Sequence, residues 1–330
     1  MEPVMHSVFI IVVVAEFILG NLSNGLIVLK NCIDWISKRE LSTVDQILIM
    51  LAISRISLMW EILLAWVKNP SISPTTGEEL KIIVFSTVLS SHFSLWLATS
   101  LGIFYLLRIA NCSWQIFLYL KWRLKQLIVG MLLGSLTLLL ANLMHMTIIF
   151  EKLYQYGGNK SMNFPDIELN QHGGNSSMNS METEFSVLPE LILYSMTMFS
   201  VLPFSLAFIS FLLLIFSLWK HLQKMEFNSR GHGDPNSKVH MKALIVMVSF
   251  LLFYTMFFLS LLTAWATQKH HRDLVQVICT ITGLMYPSAH PFILIFGNSK
   301  LKQTSLWVLR FLGCRLKGQN IPTIYVSSKQ

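Results

Sequence analysis

Apolar residues dominate seven stretches of the chain, each closed by a polar or charged break: Ser7–Leu29, Ile47–Val67, Phe85–Leu107, Leu127–Phe150, Leu188–Leu218, Ala243–Ala266 and Leu274–Phe296. A helix rising 1.5 Å per residue needs about 20 residues to cross a bilayer core of about 30 Å. Every stretch meets that length, and the fifth exceeds it, so it must tilt or project beyond the membrane. The pattern predicts an all-α membrane protein, a seven-transmembrane helix bundle. It occupies residues 1–296, and residues 297–330 form a tail carrying a short amphipathic helix. In that tail Leu301, Trp307, Val308, Phe311 and Leu312 alternate with basic residues, as in a helix lying on a membrane surface.

The third run organises the rest. No charge interrupts Phe85–Leu107, and Thr87, Ser91 and Ser94 recur at i, i+4 and i+7, on one helical face, with Thr99 below them. A mildly polar upper face above a basic lower end suits the central strut of a receptor. Hydroxyls that merely bond carbonyls one turn back would produce the same pattern.

Composition agrees with the membrane assignment. The chain is 53% hydrophobic and only 13% charged, with mean hydropathy +0.57, against roughly 25% charged in a soluble domain. The net charge of +8 then reflects topology rather than affinity for nucleic acid. With the N-terminus outside, inner segments hold 18 of the 25 Lys and Arg and outer segments 6, so the N-terminus is expected outside and the C-terminus in the cytoplasm. The first apolar run begins within a few residues of Met1 without a basic leader and is expected to stay as a span. Cys32, Cys112, Cys279 and Cys314 show no metal-ligand spacing, none falls in an outer loop, and Cys314 stands where palmitoylation would be feasible.

Polar residues inside the spans mark where helices must meet. Arg55 lies in the middle of the second span, where a charge costs about 2.5–3.5 kcal/mol on insertion scales and must face the bundle interior. Glu61 sits on a different face of the same helix, so Asn24 and carbonyls freed by Pro287 and Pro291 are the expected partners. Glu16, Gly20 and Asn24 form a stripe for close contact on the first helix. Pro203 is expected to kink the fifth span, as Pro287 and Pro291 do the seventh. The sequence has no glycine-rich phosphate loop and no H-E-x-x-H, and His270-His271 is an outer-loop pair. No enzymatic activity, cofactor or metal is expected.

Local motifs sharpen the assignment. The first span reads EFILGNLSNGLIVLKNCIDW (Glu16–Trp35), the second LAISRISLMW (Leu51–Trp60) and the third WLATSLGIFYLLRIANCS (Trp96–Ser113), followed by FLYLKWRLK (Phe117–Lys125). The fifth ends in LIFSL (Leu214–Leu218) before WKHLQKM, and the seventh closes with HPFILIFGNSKLK (His290–Lys302). Together these resemble the type 2 (bitter) taste receptors, a family of G-protein-coupled receptors, over nearly the whole chain. Arg108 replaces a usual lysine, Pro291 replaces a frequent serine, and Thr87 and Ser91 stand where many members carry tryptophan and asparagine.

The resemblance implies a plasma-membrane receptor. Bitter small molecules would bind among the outer helix halves, at Trp66, Thr87, Ser91, Phe257, Leu261 and Thr280, with Met198 and Trp265 as secondary contacts. Asn24, Arg55, Pro203, Pro287, His290 and Pro291 would form the structural or switching core. A gustducin-type heterotrimeric G protein would couple through Tyr105, Arg108, Lys121, Arg123, His221 and Lys224, and membrane lipid is the remaining partner. A vomeronasal-type chemoreceptor is the nearer alternative, disfavoured by the HPFILI and LIFSL blocks. A small secondary transporter is the more distant one, disfavoured by the odd span count, the lack of a visible repeat, and Glu16 and Glu61 lacking evident partners.

The long outer segment Glu151–Val187 is rich in Asn, Ser, Gly and Met, reads as unstructured, and holds sequons at Asn159 and Asn175. Asn21 and Asn111 also match the sequon pattern, but one is intramembrane and the other cytoplasmic. Glycan is therefore expected at Asn159, Asn175 or both, and never at Asn111. Loss of the enzymatic deglycosylation shift when both loop asparagines are replaced is the expected outcome, and a persisting shift contradicts the topology.

Overall fold

The computed structural model describes residues 3–38, 41–67, 77–110, 115–161, 175–228, 235–268, 273–297, 301–303 and 306. Within them the chain is helical: α1 (Pro3–Lys38), α2 (Thr43–Val67), α3 (Gly77–Ile109), α4 (Gln115–Trp122), α5 (Leu124–Ser161), α6 (Asn175–Asn228), α7 (Pro235–Thr267) and α8 (Asp273–Gly297). All but the short α4 are long and apolar enough to cross a membrane, so the seven expected spans are present. Trp307 and the rest of the tail, including Cys314, lie outside the described residues.

Each helix outruns its apolar stretch, because hydropathy reports only the lipid-facing length while backbone hydrogen bonding continues into polar flanks. The expectation that Glu151–Val187 lacks structure is corrected at both ends, where α5 continues to Ser161 and α6 begins at Asn175. Those ends carry the sequon residues: Asn159 lies in the last turn of α5 and Asn175 is the first residue of α6. The short α4 in the basic loop was not anticipated. At the start of α2 the Asp45 amide donates to Ser42 Oγ at 3.2 Å and the Ser42 hydroxyl donates to Asp45 Oδ2 at 2.6 Å, a cap that fixes the entry of the chain into the helix.

α3 is the hub. It packs on α2, α5 and α6, while α1 bridges α2 and α8, and α7 bridges α6 and α8. Half of its most apolar window is buried, against 22% for α5 and 17% for α7, which explains why α3 tolerates hydroxyls that a lipid-facing helix would leave unpaired. The core around it joins Leu97, Leu101 and Phe104 of α3 to Leu51, Phe211, Phe250 and Tyr286. A smaller cluster of Val84, Val88, Met146 and Phe150 seals α3 against α5. Outward residues such as Ile11, Leu140, Ile209 and Leu252 are exposed and apolar, the composition a hydrocarbon surround requires.

Close approach of α3 and α6 depends on one glycine. A Cβ built on Gly102 would lie 2.6 Å from Phe211 Cε2, and Phe211 cannot retreat because it stacks on Phe250 with ring centroids 4.3 Å apart. Gly102→Ala is expected to cost about 1–3 kcal/mol by overpacking, read as a lower thermal midpoint in detergent. Adding Phe211→Leu should recover most of the loss.

Candidate functional site

Arg55 is 1% exposed, in the middle of α2. Its Nη1 lies 3.0 Å from His290 Nδ1 on α8. A guanidinium can only donate, so Nδ1 is the acceptor and the ring proton sits on Nε2. The guanidinium carbon also stands 4.5 Å from the centroid of the Tyr286 ring, a cation–π contact one turn along α8. His290 is held in turn by Phe250, edge-on at 4.6 Å. The expected pairing of Arg55 with Asn24 is therefore corrected. The Asn24 side-chain N–H group donates to the carbonyls of Gly20 at 2.8 Å and Pro287 at 3.0 Å, while its Oδ1, the atom an arginine would need, meets no donor among the described residues. The Pro287 carbonyl is the one that Pro291, lacking an N–H four residues on, leaves free. The freed carbonyl expected to receive Arg55 is met instead by Asn24. Gly20 lets α1 come close enough for this bond, since a Cβ there would meet Met59 Sδ at 2.5 Å and the Ser288 backbone at 3.0 Å.

Pro203 lies within a continuous α6, where its carbonyl accepts from Thr99 Oγ1 of α3 at 2.9 Å. Glu61, read from sequence as lacking a partner, accepts from Ser90 of α3 at 2.9 Å. A carboxylate six residues from Arg55 points to α3, while Arg55 points to α8.

Between this polar layer and the end where α2 finishes and α3 begins lies a cavity of about 260 Å³. Thr87, Ser91, Phe257, Leu261 and Thr280 line it, which brings together five of the eight residues expected at a pocket. Leu95, Pro203, Gly283 and Leu284 also line it, and Leu284 is two residues from Tyr286. Met198 is 45% exposed and does not line it: the α6 stripe is Met196, Phe199, Ser200 and Pro203, and position 198 falls off that face. Trp265 misses by one position beside Ala264 and packs on Tyr194 at 5.6 Å. The side chain of Trp66 lies outside the described residues. Sequence reasoning missed His92, Trp96, Asn142 and Gln276, all on the wall. His92 adjoins Ser91 in sequence, whereas Trp96 falls on a different face of α3 from Thr87 and carried no signal in the spacing.

At the opposite end α3 runs out next to α4. Arg108 is exposed with its guanidinium 5.7 Å from the Phe104 ring, and Tyr105 is partly buried against the core. Arg123 is exposed and stacks over Tyr119 at 5.4 Å and Trp122 at 5.6 Å, while Lys121 is half-buried. His221 and Lys224 belong to the last turns of α6, and their side chains lie outside the described residues.

A family model for taste receptor proteins (TAS2R) matches residues 1–313. The chain belongs to the type 2 taste receptor family. It is 66% identical over 324 residues to taste receptor type 2 member 124 of Mus musculus, covering 98% of this chain and all of that protein. It is 61% identical to taste receptor type 2 member 102 of Rattus norvegicus, over 97% of this chain and 93% of that one. Taste receptor type 2 member 13 of Homo sapiens is 50% identical over 93% of this chain and 97% of its own. Membership makes the chain a multi-pass membrane receptor of the bitter taste class and not an enzyme. In this type 2 taste receptor the arginine layer and the cavity share two helices, α2 and α8.

Arg55→Ala is expected to leave His290 Nδ1 without its donor, and His290→Ala to leave a buried charge unpaired, each costing a few kcal/mol. Both should lower surface expression, and the double variant should be no worse than Arg55→Ala alone. Additive losses would show that the two act independently. Normal surface levels with lost signalling would instead assign Arg55 a switching role.

Proposed function

We propose that this receptor binds bitter small molecules in the cavity between α2, α3, α6, α7 and α8 and passes the signal to a gustducin-type heterotrimeric G protein at the α4 end. The observation that carries the proposal is a half-open, mainly apolar cavity directly above a buried polar layer that ties three helices together. A ligand that pushes on Leu284 or Pro203 pushes on helices whose next turns hold that layer. Apolar burial at about 25 cal/mol per Å² drives binding, and ordering and desolvation costs leave affinities near micromolar, about −8 kcal/mol. Screening a bitter-compound panel in cells carrying a chimeric Gα tests the reading. No response from any compound at normal surface expression would contradict it.

The α4 end suits a partner of complementary charge. Arg108 and Arg123 set guanidinium groups against the Phe104 and Tyr119 rings, and with Lys121, Tyr105, and His221 and Lys224 of the α6 sequence they complete the proposed coupling set. The apolar outer faces of the spans take membrane lipid, and Asn159, Asn175 or both carry glycan.

Ser91→Trp is expected to fill the α3 side of the cavity and block large agonists while sparing small ones. Phe257→Ala should weaken nearly all of them. Dose–response curves unchanged by Ser91→Trp would remove α3 from the ligand wall. Charge reversal at Arg108 and Lys121 together should abolish signalling at preserved surface level, and unaltered responses would move the coupling surface elsewhere.

A further inference from the structure

Most polar groups on the cavity wall are already spent within the protein. The hydroxyls of Thr87, Ser200, Ser260 and Thr280 each donate to a carbonyl three or four residues back, at 2.7–2.9 Å. Gln276 gives its side-chain N–H group to the Ala264 carbonyl at 3.1 Å. The nitrogens His92 Nε2 and Trp96 Nε1 are fully enclosed by their neighbours and out of reach. The Ser91 hydroxyl makes no bond among the described residues, but a rotating O–H both donates and accepts and so does not choose between ligands.

Asn142 of α5 differs from all of these. Its side chain is 4% exposed and stands on the wall. Its Oδ1 accepts from the Ser195 hydroxyl of α6 at 2.9 Å, and Ser195 Oγ lies 3.2 Å from His145 Nδ1. Ser195 has one proton and gives it to Asn142, so His145 Nδ1 must donate to the Ser195 oxygen. This chain of bonds crosses the seam between α5 and α6 and ends on Asn142. It fixes the turn of the amide: the oxygen faces α6, and the two N–H bonds are left over. Asn142 Nδ2 bonds to nothing among the described residues and, unlike His92 Nε2 and Trp96 Nε1, is not fully enclosed. A held donor thus borders a space whose other walls are apolar or already bonded.

We infer that Asn142 is the specificity-setting donor of this cavity and selects ligands carrying an uncharged acceptor, such as a ketone, lactone or sulfonyl oxygen. This rests on the reading that agonists occupy the cavity. Among the described residues no Asp, Glu, Lys or Arg lines the wall, so a carboxylate would leave water without meeting a countercharge. A ligand that sets a methylene against the amide leaves the N–H unpaired and is rejected for that reason. Without such a donor, apolar burial would favour the methylene compound instead.

The test uses agonists found on the unaltered receptor. Each ketone, lactone or sulfone is assayed beside the analogue in which a methylene replaces the C=O or SO2 unit. Removing the acceptor should lower potency about tenfold or more, about 1.4 kcal/mol. In Asn142→Leu the parent should lose that same factor and the methylene analogue should not, at equal surface level. Ser195, deprived of its acceptor there, can turn to a carbonyl of its own helix. Equal potency of parent and analogue on the unaltered receptor overturns the inference, as does an agonist set with no such acceptor. An equal loss of both compounds in Asn142→Leu also overturns it, because it makes Asn142 a packing residue. Potency that follows O–H or N–H groups of the ligand overturns it too, since the amide would then present its oxygen. Where Asn142→Leu fails to reach the surface, Asn142→Ala removes the amide in a smaller side chain and serves in the same comparison. If neither variant reaches it, the pairs of compounds on the unaltered receptor decide alone. Responses indifferent to both Ser91→Trp and Phe257→Ala would instead sink the cavity reading itself, a separate result.

Discussion

A guanidinium in the middle of a bilayer has nowhere to go but inward, and the architecture depends on where it is received. Arg55 is held by a neutral imidazole nitrogen and an aromatic face, both on α8, rather than by a carboxylate. That choice ties α2 to α8 at one depth. A second bond at the same depth, from Asn24 to the Pro287 carbonyl, ties α1 to α8. Both bonds rely on features that look like defects in isolation: a charge in hydrocarbon, a proline that frees a carbonyl, and a glycine that leaves α1 thin. Combined, the glycine lets α1 approach so that Asn24 meets the carbonyl the proline frees, while the imidazole and ring on the same helix receive the charge.

α3 carries the same logic to the other side of the bundle. Thr99 reaches the Pro203 carbonyl of α6, and one turn below it Gly102 admits Phe211. The lower half of the bundle is in this way close-packed and tied by polar bonds. The upper half, where Thr87, Ser91, Phe257 and Thr280 surround open volume, is tied at its wall by Glu61 with Ser90, Asn142 with Ser195 and Gln276 with the Ala264 carbonyl. Under the proposed function, a tied base beneath this chamber would let small molecules enter without loosening the fold and would place any shift they cause directly above the arginine layer.

Much of this was legible in the sequence, for identifiable reasons. The spans were, because hydrocarbon imposes length and composition. The inward burial of Arg55 was, because no other position is tolerable. So was the need to satisfy the carbonyl freed by Pro291. The partner of Arg55 was not, because sequence shows that a donor needs an acceptor without showing which face of α8 turns towards α2. Met198 and Trp265 failed for a related reason: each lies one position from a residue that does line the cavity, and a rotation of about 100° per residue separates wall from lipid or rim. His92 and Trp96 were passed over because an aromatic on an apolar helix looks like packing until the bonds of its neighbours are known. Helix ends were missed because apolar runs say nothing about how far a helix continues into polar sequence.

The most direct measurement is an experimental structure of the receptor with an agonist bound in lipid nanodiscs, at a resolution that places the compound. Ligand density enclosed by Thr87, Ser91, Phe257 and Thr280, with the Arg55–His290 contact still formed beneath it, is the result the account predicts. Density at the α4 end alone, or an agonist in the upper cavity with Arg55 released from α8, would contradict it.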